Sequence, residues 1–536
     1  MHMNSLSTNN TCYNQDFTQS NYPLAIIVIG ASGDLAKRKT YPSLFSLFEQ
    51  RLIPANTIIY GFGRSNLSHE SLRKKILPFI SNGESSDGPN QMVVDFLRMC
   101  YYQRGKGYDD ADSFLSMHKS VIRYYYESND KSHEDINCLF YMATPPNVFA
   151  TATKSITQSF VNPGGIPSES IRILFEKPFG SDTQSYIQLS NSISKLVKEQ
   201  QIYRIDHYLG KDMIRCIPSF RFNNSWARAI WSRKYISHVI ISVKETIGTD
   251  GRGGYFDQYG IIRDIMQNHL LQVLCLVAME EPTGVAITTD SSMLYSGVEA
   301  MRDAKCDVLK SIVIPNSNDC VVGQYEGYKN EDMVRKDSRT PTFAAVKLFV
   351  DNERWRGVPF LLLAGKALED KCAEVKVIFR HPNASKSFDR QRGKSELKIR
   401  IQPDNCISLT TNLQEGDSLS SGSDHKGQAS TCMKLDLSAV ATPSLSKPGK
   451  QNNVFPRKDN AYSKLIYDAL RGIPSSFVRD DELRLSWQIF TPLLHQLERV
   501  NPFPYKYGSR GPHQTDKLLL SIENISSIGT SKQSKL

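Results

Sequence analysis

Residues Leu24-Ala25-Ile26-Ile27-Val28-Ile29 form an unbroken apolar, largely β-branched run, the pattern of a strand buried on both faces. A Gly-containing turn follows, then helical periodicity over about 37–48. Further strands are predicted at 57–61, 139–142 and 171–175, with helical stretches at 68–80 and 184–197 between them. This alternation predicts an α/β unit over 23–205, a doubly wound Rossmann-type parallel sheet. The second half reads differently. Strand patterns at 237–243, 343–350, 374–379 and 397–401 are not regularly interleaved with helices. They predict a C-terminal α+β domain over 206–515, with a large, mainly antiparallel sheet and helices on one face. A polar, flexible leader is expected at 1–22 and a polar tail at 516–536. Ser/Gly/Lys/Asn-rich loops are expected at 417–430 and 444–453, separated by the apolar-patterned Met433–Leu437. No internal repeat is visible.

Composition narrows the class. The 536 residues hold 65 Lys+Arg and 55 Asp+Glu, a formal net charge of +10, with 40% hydrophobic residues. This is a globular mixture with enough chain for a core; a disordered chain, a collagen and a disulfide miniprotein are excluded. The longest apolar runs, 24–31 and 270–279, fall short of the ~20 residues of a membrane span. Ten cysteines occur without a CxxC, which leaves zinc-finger and thioredoxin-like chemistry unsupported and predicts no metal site. With no secretory signal pattern, a reducing compartment is expected. The last residues, Ser534-Lys535-Leu536, read as a peroxisomal address for an import receptor, with a cytoplasmic or dual location as the alternative. The polar residues 526–533 should leave that tripeptide accessible. The positive charge fits either a nucleic acid or anionic small molecules; no nucleic-acid-binding motif accompanies it.

The first strand runs into Gly30-Ala31-Ser32-Gly33-Asp34-Leu35-Ala36. Glycines at a strand-to-helix junction let backbone approach a pyrophosphate, and the helix N-terminus supplies N–H donors. Gly30, Ser32, Gly33, Asp34 and Leu35 are therefore candidate nucleotide contacts. The spacing is GxxGxxA rather than GxGxxG, so a tight turn without a ligand is the alternative. The second strand ends in Gly63-Arg64-Ser65, where an NAD site calls for an acid on the ribose. Arg64 instead offers a donor fork suited to a 2′-phosphate, which favours NADP over a plain solvated loop charge.

Three further segments carry chemistry. Glu176-Lys177-Pro178 closes a buried strand and sets Lys177 at the sheet's C-terminal edge. Arg204-Ile205-Asp206-His207-Tyr208-Leu209-Gly210-Lys211 gathers cations, a phenol and one carboxylate, a set suited to a phosphate dianion. Asp264 lies near the start of a helix that carries His269 among apolar neighbours, a general base or a core histidine.

With these motifs the chain resembles the glucose-6-phosphate dehydrogenase family over about 23–515. Matching stretches are GASGDLA at 30–36, EKPFG at 176–180, RIDHYLGK at 204–211, GTDGRGGYFDQYGIIRDIMQNHLLQ at 248–272, GVPFLLLAGKAL at 357–368 and YGSRGP at 507–512. The resemblance implies oxidation of D-glucose 6-phosphate at C1 to 6-phospho-D-glucono-1,5-lactone with reduction of NADP+, the first step of the oxidative pentose phosphate pathway. It implies His269 as general base, held by Asp206. His207, Tyr208 and Lys211 would clamp the phosphate, and Lys177 would touch both sugar and nicotinamide. Glu245 and Asp264 would take sugar hydroxyls, and Lys366 and Lys371 would add positive charge. A homodimer or homotetramer through the second sheet is implied too. Some members hold a second, structural NADP; Arg400 and Arg510 match two of its contacts and Lys376 replaces an arginine. Cys372 and Ser408 stand where a lysine and a tyrosine are usual, and no tryptophan follows Trp487, so the stacking partners are absent. The alternatives are a silent subunit of an oligomer and a related dehydrogenase of unphosphorylated sugars. The first is disfavoured by His269 and Asp206, the second by His207 and Lys211.

Overall fold

Alternate residues of β1 (Leu24–Ile29) enter two different cores: Ala25, Ile27 and Ile29 one, Leu24, Ile26 and Val28 the other. All six are buried, which is why the run shows no polar alternation. The computed structural model describes residues 16–18, 23–81, 90–126, 136–161, 165–283, 298–380, 395–413, 431–436 and 461–532. The loops expected at 417–430 and 444–453, the terminal Ser534-Lys535-Leu536 and most of the leader lie outside these residues.

β1 is flanked by β2 (Ile58–Gly63) and β3 (Cys100–Arg104) on one side, and by β4 (Asn137–Met142), β5 (Ile171–Phe175) and β6 (Ile202–Arg204) on the other. The order β3-β2-β1-β4-β5-β6 is parallel throughout. Because the chain leaves β1 in both directions, its C-terminal end beside β4 is the switch point where such sheets bind ligands.

The second sheet has ten strands: β7 (Ile236–Lys244), β8 (Ile312–Val313), β9 (Cys320–Tyr325), β10 (Phe343–Val350), β11 (Pro359–Gly365), β12 (Cys372–Phe379), β13 (Glu396–Gln402), β14 (Cys406–Leu413), β15 (Thr431–Asp436) and β16 (Phe503–Tyr505). Their order is β15-β14-β13-β12-β7-β11-β10-β9-β16, with β8 paired to β10. Only β7–β11 and β9–β16 are parallel. The mainly antiparallel sheet read from the sequence is therefore present.

Among the described residues one helical run, Gly253–Ala278, is long and apolar enough to cross a membrane, and 83% of its apolar stretch is buried inside the protein. It is the core helix beneath the second sheet. Arg263, Asp264 and His269 interrupt its apolar run in the sequence, so a search for unbroken apolar stretches passes over it. Gly260, with φ 69° and ψ 169°, breaks the run. The following turns, Ile262–Leu270, are wound as a π-helix, a winding that frequently marks functional sites.

Two expectations about the ends are corrected. Residues 514–532 form a helix, Gln514–Lys532, rather than a loose polar tail. Leu518 and Ile522 are one turn apart and buried, and the helix packs against β7, β9 and β11. A spacing of four puts both on one face, an apolar stripe too sparse to stand out among the polar residues around it. In the leader, Phe17 is fully buried and packs with Leu465, Ile466, Ala469 and Leu470 against the first sheet. The Ala461–Leu470 helix thus returns from the second half of the chain to cover the first domain.

Truncating the buried Ile522 removes contacts the core cannot refill. Ile522→Ala should lower unfolding stability by about 2–4 kcal/mol in urea denaturation. A change within ~0.5 kcal/mol, the surface-substitution range, would return the segment to a loose tail.

Candidate active site

Three chain segments meet at the C-terminal edge of the first sheet. β5 is followed by Glu176-Lys177, and the Lys177–Pro178 peptide bond is cis. β6 leads to Asp206, which caps the short 3-10 turn His207–Gly210 by accepting the Tyr208 N–H at 3.0 Å. The π-wound segment of the core helix brings His269 from the other domain.

His269 Nδ1 lies 2.5 Å from Asp206 Oδ1, and the two side chains are 1% and 3% exposed. The Tyr208 ring lies nearly parallel to the imidazole at 4.4 Å, and His207 meets it edge-on at 4.5 Å. With Nδ1 held by the carboxylate, the free nitrogen is Nε2. It is buried and has no hydrogen-bond partner among the described residues, as is Asp206 Oδ2. Burial, the dominant influence, lowers the His269 pKa; Asp206 pulls it back up and Lys177 pushes it down further, leaving it below the ordinary 6.5. Burial acts on Asp206 in the opposite sense. The charge and hydrogen bond of His269, the Tyr208 N–H and Lys177 outweigh it and hold the carboxyl below its usual range. At neutral pH the pair is a neutral imidazole on a carboxylate.

Around this pair the cations alternate with acids. Lys177 Nζ donates to the Asp264 carbonyl at 2.8 Å and to its Oδ1 at 3.2 Å. Lys366 Nζ is 3.9 Å from Asp264 Oδ2 and pairs closely with Glu245 at the end of β7. Burial would raise the Asp264 carboxyl, but Lys177 and Lys366 hold it below its usual range. Lys211 is buried, its Nζ 5.4 Å from the Tyr208 ring. His207 is half-buried; burial first, then the charges of His269, Lys177, Lys211 and Lys39, hold its pKa well down. Of the residues the sequence assigns to the sugar phosphate, Lys371 alone is not drawn into this group. It is exposed at the start of β12, beside the Lys244–Asp370 ion pair. Asp206, His207 and His269 also present ligand atoms within 4.8 Å of one another; the 2.5 Å contact joins two of them, His269 and Asp206, as a histidine–carboxylate pair.

The glycine loop occupies the switch point. Gly30 has φ +85°, and a Cβ there would lie 2.5 Å from the Ala143 carbonyl oxygen at the end of β4. Only glycine fits so close an approach. Ser32 Oγ and Ser65 Oγ are 2.9 Å apart, tying the loop to the end of β2. Arg64 is exposed there, its guanidinium 5.7 Å from the Tyr108 ring. Asp34 is exposed and ion-pairs with Lys37 at 3.0 Å, which lowers its pKa, and Leu35 precedes the first helical turn. Beside Gly30, the Thr144 hydroxyl is buried without a partner among the described residues. A tight glycine turn and an unpartnered hydroxyl at a strand-to-helix junction fit a dinucleotide, with the Arg64 guanidinium exposed beside Tyr108 at the end of the second strand.

The description "Glucose-6-phosphate dehydrogenase, NAD binding domain" matches residues 27–216, and "Glucose-6-phosphate dehydrogenase, C-terminal domain" matches 218–524. The chain belongs to the glucose-6-phosphate dehydrogenase family. The cytoplasmic isoform of glucose-6-phosphate 1-dehydrogenase from Solanum tuberosum is 40% identical over 511 residues, 94% of this chain and 93% of that protein. The glucose-6-phosphate 1-dehydrogenase of Dictyostelium discoideum is 40% identical over 516 residues, 94% of this chain and 95% of that one. A solved glucose-6-phosphate dehydrogenase in complex with its substrate glucose-6-phosphate superposes with a TM-score of 0.81 at 36% identity, covering 95% of this chain and 99% of that one. The Mycobacterium avium glucose-6-phosphate 1-dehydrogenase does so with a TM-score of 0.76 at 28% identity, over 93% and 97%.

The residues matching the family's second nucleotide site do not fit one. Lys376 pairs with Glu374 at 3.1 Å, Arg400 with Asp404 at 3.8 Å and Arg510 with Asp516 at 3.4 Å. Cys372 and Ser408 offer neither a charge nor a stacking ring.

Two features escaped the sequence. Tyr462, at the start of the Ala461–Leu470 helix, lies parallel to His207 at 5.9 Å, and Lys464 pairs with Asp212. Their remoteness in the chain left no local signal. The other is the burial of Glu176, 4% exposed, whose Oε1 accepts the Tyr141 hydroxyl at 2.5 Å. Burial pushes this carboxyl up to about 7, against the opposing pull of Tyr141 and Lys177. The raised pKa means that the folded protein holds this proton more tightly than the unfolded chain. Glu176 therefore contributes stability that is complete below about 4.5 and lost as pH rises through about 7. Glu176→Gln should abolish that loss, gaining on the parent by up to about 3 kcal/mol between pH 5 and 8 in paired denaturation curves. Parallel pH profiles would show that the proton is not held there.

Proposed function

We propose that this chain oxidises D-glucose 6-phosphate at C1 to 6-phospho-D-glucono-1,5-lactone and reduces NADP+, the entry to the oxidative pentose phosphate pathway. The observation that carries the proposal is the buried His269–Asp206 pair with an unpartnered Nε2, ringed by Lys177, Lys211 and Lys366. A carbinol is a very weak acid, so its proton must pass to a base as the hydride departs. His269 Nε2 is that base. Asp206 keeps the proton of the resting imidazole on Nδ1 and stabilises the imidazolium that forms. Bound nicotinamide supplies the hydride acceptor.

Lys211, His207 and Tyr208 bind the sugar phosphate. Glu245 and Asp264 accept hydrogen bonds from sugar hydroxyls, and Lys177 and Lys366 orient those carboxylates. Lys371, exposed and outside the cluster, supplies only long-range positive charge. Gly30, Ser32, Gly33, Asp34 and Leu35 form the turn that receives the pyrophosphate. Lys177 stands between the sugar and the nicotinamide. Arg64 reads the 2′-phosphate, supported by its exposed guanidinium and by the absence of an acid in Gly63-Arg64-Ser65. Subunits associate as a homodimer or homotetramer through the second sheet, as the family resemblance implies. Relatives from Solanum tuberosum and Arabidopsis thaliana are named cytoplasmic. For this chain Ser534-Lys535-Leu536 supports delivery to the peroxisome by its import receptor, with cytoplasmic residence the alternative.

Purified protein mixed with glucose 6-phosphate should reduce NADP+, and NAD+ more weakly, read as nicotinamide absorbance. No turnover with either would leave a silent subunit, and equal turnover of unphosphorylated glucose would remove the phosphate clamp. His269→Asn should lose about 10³–10⁴-fold in kcat while retaining the KM for the sugar phosphate. Because burial holds the His269 pKa below 6.5, the acid limb of kcat/KM should lie below that pH, with activity lost as the imidazole protonates. An acid limb well above 6.5 would point to another base.

Removing Ser534 to Leu536 from a fluorescent fusion should convert punctate peroxisomal fluorescence to diffuse cytosolic fluorescence. Puncta that persist would assign the address elsewhere.

A further inference from the structure

Asp16, Phe17 and Thr18 are separated from the rest of the fold in sequence but not in space. The Phe17 ring is fully buried, and its N–H donates to the Leu470 carbonyl at 2.9 Å. The Arg172 guanidinium, from β5, lies 3.7 Å from the centre of that ring and donates to the carbonyls of Ala469 and Leu470 at 2.8 and 2.7 Å. Asp16 accepts the Thr18 N–H at 2.9 Å and faces Arg471 at 3.6 Å. A helix end leaves its last carbonyls without intrahelical donors and carries partial negative charge. Here those carbonyls are satisfied by a cation from the first sheet and an amide from the leader, with an aromatic face over the cation. The cap of the Ala461–Leu470 helix is assembled from two distant stretches of chain, residues 16–18 and β5.

The other end of that short helix is at the active site. Tyr462 lies parallel to His207, Lys464 pairs with Asp212, and Gly210 is so near that an added Cβ would be 2.4 Å from the Ala461 oxygen. A helix is stiff along its axis, so a shift at the capped end is carried to the first turn.

We propose that Asp16–Thr18 is a clip whose Phe17 acts as a positioning residue: it fixes the Ala461–Leu470 helix on β5 and thereby holds Tyr462 and Lys464 against the turn that binds the sugar phosphate. The kinetic part of this rests on the activity proposed above. The clip acts on sugar-phosphate affinity before the hydride step, because Tyr462 and Lys464 meet His207 and Asp212, at and beside the phosphate-binding turn, while His269 is held by Asp206.

Phe17→Ala should raise the KM for glucose 6-phosphate about tenfold while kcat and the KM for the nicotinamide nucleotide stay within about twofold. Phe17→Leu, which keeps an apolar plug, should recover most of the loss. Amide hydrogen exchange over 461–470 should quicken in Phe17→Ala and not in Phe17→Leu. An unchanged sugar-phosphate KM, or both KM values rising together, overturns the clip. So does a fall in kcat alone, the sign of a smaller folded fraction. Should Phe17→Ala fail to fold, Asp16→Ala, which removes only the Arg471 and Thr18 contacts, carries the same readouts at smaller amplitude. If the parent protein shows no turnover, the activity proposal fails by itself; exchange over 461–470 still decides whether the clip holds the helix.

Discussion

The molecule is organised around keeping one carboxylate charged where almost no water reaches it. Asp206 is 3% exposed, and an isolated buried carboxylate costs several kcal/mol. Its charge survives because the Tyr208 N–H and His269 Nδ1 both meet Oδ1. The first donor belongs to the 3-10 turn after β6, the second to a helix of the other domain. The two domains are thereby bound to a common register: sliding one past the other by an ångström would strand a buried charge. Two parts of a chain that could have packed loosely are held by a contact whose failure is expensive, and that contact is also the pair proposed as the base and its carboxylate.

The helix that brings His269 is restrained from behind by polar contacts rather than by apolar packing alone. Gln267 donates to Ser486 at 2.7 Å, Gln272 to Glu482 at 3.1 Å, and Lys305 pairs with Glu482 at 2.8 Å with both side chains essentially inaccessible. A buried pair adds little net stability over an apolar replacement, but its geometry is directional. Helices can slide along a greasy face; they cannot slide along a set of satisfied donors and acceptors without leaving some unpaired. With the π-wound turns between Ile262 and Leu270, this fixes both the rotation and the height of His269.

The sequence displays the parts of this design that are local and periodic. β1 is legible because both its faces are buried, and the glycine turn because Gly30 has no room for a side chain. The gathering of Asp206, His207 and Lys211 within one turn is visible as spelling. What stays hidden is long-range. Tyr462 reaches His207 from far along the chain, and its helix starts after a polar stretch that reads as loop. Phe17 is one apolar residue in a polar leader, and nothing in a window around it announces that Arg172 and Leu470 await it. The Gln514–Lys532 helix reads as tail because Leu518 and Ile522 form a sparse stripe; burial against β7, β9 and β11, not propensity, decides its state. Glu176 is conspicuous in its motif, yet only burial beside Tyr141 raises its pKa.

Charge placement follows the same division. On and beside the second sheet, Lys376, Arg400 and Arg510 each lie beside an acid two to six residues away, and Lys244 beside one on a neighbouring turn, so their fields largely cancel at short range. At the catalytic edge the arrangement is different. Lys177, Asp264, Lys366 and Glu245 alternate across elements from both domains, and Lys211 sits buried beside Tyr208. Acids that face cations from other elements are held in place in advance, the arrangement the proposed sugar-hydroxyl contacts require. A net charge of +10 therefore says little by itself. Its consequence for binding lies in which cations are neutralised by their own neighbours and which are held at the junction of two domains, where an incoming anion meets them already oriented.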